Sequence, residues 1–108
     1  MARAFHVLVT IQAKPGKEQD VETTLKGLMD PTHREEGCEC YILQRRVDRP
    51  GMFYLVEKWR SVADFRKHTA SPHLSGVMAR KDELFAVLDI ALVSPLTGGN
   101  PAKVQYTP

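Results

Sequence analysis

The chain is poor in cysteine, with two among 108 residues, Cys38 and Cys40. That excludes a disulfide-stapled scaffold and a four-thiolate zinc site. On a strand, residues two apart share a face with Cα atoms about 6.5 Å apart, near the outer limit for a disulfide. Buried free thiols are therefore expected, and they suit a reducing compartment. Long apolar runs are also missing. None approaches the roughly 20 residues that span a bilayer, so no membrane partner is expected. The N-terminal MARAFHVLVTIQAKPGK alternates apolar and polar residues and has a weak small-residue cleavage pattern. It does not read as a signal peptide, and a cytoplasmic location is expected. No sign of charge dominates: 15 basic against 13 acidic residues give +2. No basic cluster is interleaved with aromatics, so nucleic acid is not an expected partner. Arg45, Arg46 and Arg49 read as a solvated hairpin end. There is no GxGxxG loop or P-loop lysine motif, so no nucleotide or flavin cofactor is expected.

What is present fits one domain, residues 1–95, with a tail over residues 96–108. Residues 5 to 13 alternate, Phe5, Val7, Val9 and Ile11 against His6, Leu8, Thr10 and Gln12, and predict a strand. Lys14-Pro15-Gly16 ends it. Val21, Leu25, Leu28 and Met29 predict an amphipathic helix over residues 17 to 34. Pro31 predicts a kink or stop near Met29, and Gly37 a terminator. Residues 38 to 47 and 52 to 59 predict two strands hairpinned around Asp48-Arg49-Pro50-Gly51. On the second, Phe53, Leu55, Glu57 and Trp59 share a face. Ser61 is a helix N-cap. It opens a helix over residues 62 to 69 that buries Val62, Phe65 and Thr69. After Ser71-Pro72 a second helical piece runs over residues 73 to 85. Residues 86 to 94 predict a fourth strand, and residues 103 to 106 a short edge strand or a crossing to a partner.

The order β-α-β-β-α-β is the ferredoxin-like split βαβ pattern, an α+β fold with an antiparallel sheet covered by helices on one face. Strands apolar on both sides leave the other face needing cover. A homodimer stacking two such sheets would supply it.

The segment from Met52 to Leu74, MFYLVEKWRSVADFRKHTASPHL, is the most informative. It carries an acid, the one tryptophan and two histidines within about twenty residues. Its order and spacing resemble the antibiotic biosynthesis monooxygenase domain family. The matching features are Lys14-Pro15-Gly16, Glu36-Gly37-Cys38 leading to Tyr41, the strand ending Glu57-Lys58-Trp59, and Phe65, His68 and Ser71-Pro72-His73. The likeness spans about residues 5 to 94. It implies a dimeric α+β barrel with a cavity between sheet and helices in each subunit. Members include cofactor-independent monooxygenases of quinols and anthrones, haem degraders, and enzymes of a quorum-signal phospho-sugar.

On that likeness His68 is the candidate base. It lies three residues after Phe65 on the same helix face, and imidazole titrates near neutrality. A structural histidine bonded to a strand is the alternative. Glu57, facing the helices, needs a partner if buried. It would orient His68 or pair with Arg66 or Lys67. Trp59 and Phe65 would form aromatic walls. His73 follows Pro72 and joins the substrate-binding set. A metal site of His68, His73 and Glu57 would need a coincidence of fold, and no metal is expected. His6 enters the cavity or the dimer interface, and Tyr41 packs with its hydroxyl bonded or donates to substrate. The haem-degrading branch uses an asparagine on the first strand and a histidine on the second helical piece. Residues 5 to 13 have no asparagine and residues 74 to 85 no histidine, so haem degradation is not expected.

The leading expectation is a cofactor-independent monooxygenase acting on a quinol, anthrone or similar small phenol, with catalytic His68 and Glu57. The alternatives are an isomerase of a small phosphorylated or carbonyl substrate, favoured if Arg66, Lys67 and Arg80 reach the cavity mouth, and a non-catalytic ligand-binding dimer.

Overall fold

The computed structural model describes residues 4–104. Its elements run β1 (Phe5–Ala13), α1 (Glu18–His33), β2 (Cys38–Arg45), β3 (Met52–Trp59), α2 (Val62–Thr69), α3 (Pro72–Met78), α4 (Lys81–Leu84) and β4 (Phe85–Val93). The strands form one sheet in the order β2-β3-β1-β4, with every neighbouring pair antiparallel. This is the α+β, ferredoxin-like architecture expected from the element order.

Period-two alternation builds the core. Val7, Val9 and Ile11 of β1 and Phe53, Leu55, Glu57 and Trp59 of β3 all point to the helix side and are buried. Val21, Leu25 and Leu28 of α1 close over them. Each fully buried side chain of this kind contributes about 1.5–3 kcal/mol of transfer free energy. The opposite sheet face is less covered, with Leu8, Ile42 and Val87 all exposed.

Several expectations are corrected. Helix α1 does not stop at Met29 but runs through Pro31 to His33. Pro31 removes one N–H, yet the last turn is held. Thr32 is fully buried, and His33 Nε2 lies 2.9 Å from the Tyr41 carbonyl oxygen. Cys38 and Cys40 do not share a face. A register shift between them sets Cys38 opposite Trp59 on the helix side and Cys40 opposite Lys58 on the other, as one extra residue in a bulge does. Both thiols are free. On α2 the buried pair is Asp64 and His68, with Val62 and Thr69 exposed. The single helical piece over residues 73 to 85 is two short helices, and Phe85 already begins β4.

The tail leaves the sheet after Val93, and Pro101–Lys103 form a 3₁₀ turn rather than an edge strand. Gln105 and Tyr106, the rest of that expected strand, lie outside the described residues. Among the described residues no helix is long and apolar enough to cross a membrane.

Candidate functional site

A cavity of about 210 Å³ lies between the helix side of the sheet and helices α2 and α3. Its walls are mainly aliphatic, with Val7, Val9, Leu25, Leu55, Leu74 and Val77 among them. Among the described residues the polar side chains that line it are Tyr41, Glu57, His68 and Thr69, and no lysine or arginine does so.

His68 is delivered by α2, and the start of that helix is firmly set. Ser61 Oγ accepts from the Asp64 N–H at 3.2 Å and donates to Asp64 Oδ2 at 2.8 Å, a cap of the expected kind. Arg60 forks onto both Asp64 oxygens at 2.9 and 3.0 Å. Four residues on, His68 shares that helix face and is 2% exposed. Its ring lies against Trp59 with centroids 4.5 Å apart, between the rings of Tyr41 at 5.8 Å and Phe65 at 6.2 Å. Burial lowers its pKa below the ordinary 6.5, outweighing the opposing pull of the Glu35 carboxylate.

The carboxylate in contact with His68 belongs to Glu35, not Glu57. Glu35 Oε2 lies 2.6 Å from His68 Nδ1 and 3.0 Å from His73 Nε2. Glu57, 3% exposed, instead accepts from the Trp59 indole N–H at 2.9 Å. Burial pushes the Glu57 carboxyl up to about 7 against the Trp59 hydrogen bond. Reach explains the exchange. The indole of Trp59, two residues along the same strand face, takes the Glu57 carboxyl, while the turn after α1 brings Glu35 between His68 and His73. A sequence signal for Glu35 did exist. Glu35 and Glu36 follow a helix C-terminus, where acids oppose the helix dipole. Glu36 is paired outward with Arg60 at 3.3 Å, and Glu35 turns inward.

The other candidates separate. Phe65 and Tyr41 line the cavity, and burial pushes the Tyr41 phenol well above its ordinary range, so it remains an O–H. Trp59 is fully buried behind His68 rather than on the cavity wall. His73 stands on the far side of Glu35, with its ring centroid 6.0 Å from that of His68. His6 sits opposite Lys58 and Val93, on the sheet face away from the cavity. Burial lowers its pKa, and the Lys58 charge adds to the effect. Cys38 is no nucleophile, because burial first and the nearby Glu35 charge second push its thiol up to about 11.

Among the described residues, those in range for a metal are Glu35, His68 and His73, whose ligand atoms lie within 4.8 Å of one another. Glu57 is not of this set. The three groups already satisfy one another as imidazole–carboxylate hydrogen bonds. An ion would have to replace both of these contacts to bind.

The sequence pattern of the family described as "Antibiotic biosynthesis monooxygenase" matches residues 4–80. The chain is 31% identical over 81 residues to "Putative monooxygenase YcnE" of Bacillus subtilis, covering 74% of this chain and 85% of that protein. It is 28% identical over 97 residues to "Putative monooxygenase Rv0793" of Mycobacterium tuberculosis, covering 89% and 95%. Among solved structures, PA3566 of Pseudomonas aeruginosa superposes with a TM-score of 0.85 at 27% identity, over 90% of this chain and 98% of that one.

Proposed function

Because the chain belongs to the antibiotic biosynthesis monooxygenase family, we propose that it is a cofactor-independent monooxygenase of a quinol, anthrone or similar small neutral phenol, with His68 as the base. The observation that carries this reading is the setting of His68. A nearly buried imidazole lines an apolar cavity while a carboxylate occupies its Nδ1.

The chemistry asks little more of the protein. His68 takes a proton from the substrate, leaving an electron-rich anion that reduces dioxygen. One oxygen atom bonds to a ring carbon, the other leaves as water, and the substrate supplies the electrons. A quinol thereby becomes a hydroxyquinone, and an anthrone a quinone. The imidazolium formed lies against the Trp59 ring face, which favours a cation, and beside the Glu35 carboxylate. In this reading Glu57 and Tyr41, both of which line the cavity, hold the substrate oxygens. The homodimer belongs to the same proposal, with the exposed Leu8, Ile42 and Val87 face as the surface to be covered.

The isomerase alternative on a phosphorylated substrate is disfavoured by the lining, which among the described residues offers a phosphate a carboxyl and no lysine or arginine. Arg80 is instead engaged with Glu83 at 3.2 Å.

The test is oxygen uptake by metal-analysed protein with a panel of quinols and anthrones, with His68→Ala alongside. Uptake above the autoxidation blank that falls in the variant supports the reading. No uptake with any substrate sinks it.

A further inference from the structure

We infer that Glu35 is the positioning residue of this site: it holds His68 in the Nδ1–H tautomer, leaving Nε2 to take the proton, while His73 pins the same carboxylate oxygen from the solvent side. The inference rests on the reading of His68 as the base.

An ionised carboxylate only accepts hydrogen bonds, and a neutral imidazole carries one N–H. With Oε2 2.6 Å from His68 Nδ1, the hydrogen sits on Nδ1 and the lone pair on Nε2. The partner of one ring nitrogen sets the state of the other. The ring is flanked by those of Trp59, Tyr41 and Phe65. Glu35 cannot follow one ring alone, because its Oε2 also faces His73 Nε2 at 3.0 Å.

The backbone holds all three in register. Ser71 Oγ donates to the His68 carbonyl at 2.7 Å and caps α3 by accepting from the Leu74 N–H, which places His73 one turn beyond His68. The Glu35 N–H bonds the Thr32 carbonyl and its own carbonyl accepts from Cys38, both at 3.0 Å. The Arg60 N–H reaches the Gly37 carbonyl at 2.8 Å and ties this turn to α2. The titratable groups packed around the pair are Glu57 of β3 and Cys38 and Tyr41 of β2. None is a cation that would compete with the two imidazoles for Glu35.

The test reads the tautomer directly, by long-range proton–nitrogen NMR on protein labelled with nitrogen-15 in histidine, without substrate, at pH 8. The expected result is His68 as Nδ1–H in the wild type. Glu35→Ala should move it toward the Nε2–H form that free imidazole side chains prefer. Glu35→Gln, which keeps a carbonyl acceptor, should restore Nδ1–H. On any quinol the wild type turns over, kcat should fall about tenfold or more in Glu35→Ala with KM little changed, and recover in part in Glu35→Gln. His68 found as Nε2–H in the wild type overturns the inference. So does Nδ1–H persisting in a folded Glu35→Ala. If that variant does not fold, loss of Nδ1–H in Glu35→Gln overturns it and retention supports it. The two proposals fail separately. Protein with Nδ1–H His68 that consumes no oxygen sinks the oxygenase reading alone, and protein with Nε2–H His68 that does consume it sinks only the role of Glu35.

Discussion

The indole of Trp59 lies against the imidazole of His68, with ring centroids 4.5 Å apart and planes inclined by 33°, while its N–H is given to Glu57 at 2.9 Å. One fully buried residue thus touches two of the ionisable groups on the cavity wall. Trp59→Phe keeps a ring face for His68 and removes the donor to Glu57. Leaving a buried acceptor unpaired costs about 1–3 kcal/mol. The deficit in urea unfolding should be larger at pH 8.5 than at pH 5.5, because the ionised carboxylate loses more than the neutral acid. Equal deficits at the two pH values would show that the bond to Glu57 is immaterial.

Glu57 should make the protein less stable as pH rises. Its folded-state pKa is about 7 against an ordinary 4.5, so between those values the native state binds more protons than the unfolded chain. Stability then declines as pH rises through that window. The full penalty above pH 7 is on the order of 3 kcal/mol. Glu57→Gln, which stays neutral, should flatten the decline and be the more stable protein at pH 8.

His68 acts with the opposite sign. Its folded pKa lies below 6.5, so the unfolded chain binds the extra proton, and stability is lost as pH falls below 6.5. His68→Gln should remove this acid-side loss in denaturation curves between pH 7 and pH 5. In oxygen uptake, His68→Ala should lose about 10²–10⁴-fold in kcat, the usual range for a general base.

Gly37 is required for space. A Cβ there would overlap the Asp64 side chain, the acid that Arg60 and Ser61 hold at the head of α2. Gly37→Ala should destabilise by about 1–3 kcal/mol, as overpacking does. It should also disturb the Glu35 turn, visible as changed amide shifts at residues 35 and 68. A variant as stable as wild type would mean that α2 yields at no cost.

The uncovered sheet face should be a subunit interface. Ile42→Asp, at 43% exposure on that face, should convert a dimer in light scattering to a monomer while circular dichroism is retained. A wild-type monomer at micromolar concentration would remove the dimer from the proposal.

Much of this was legible in the chain. The alternation of residues 52 to 59 named all four inward side chains of β3, Glu57 and Trp59 included. Ser61 and Ser71-Pro72 marked the starts of α2 and α3, and the spacing of Phe65 and His68 put both rings on one side of their helix. Pro31 misled, because losing one N–H is outweighed when Thr32 and His33 anchor the turn beyond it. The cysteine pair misled because one bulge reverses a face and leaves no mark on local periodicity.

By itself the sequence determined the order of the strands and the inward faces of β1 and β3, because these depend on a period of 2 residues and on turns a few residues long, while His68 was singled out by the family likeness. Only the tertiary structure decided which acid meets that histidine. Glu57 is 11 positions away and Glu35 is 33, yet Glu35 is the one in contact. That choice follows from how the end of α1 is laid against α2 and α3, a long-range packing outcome.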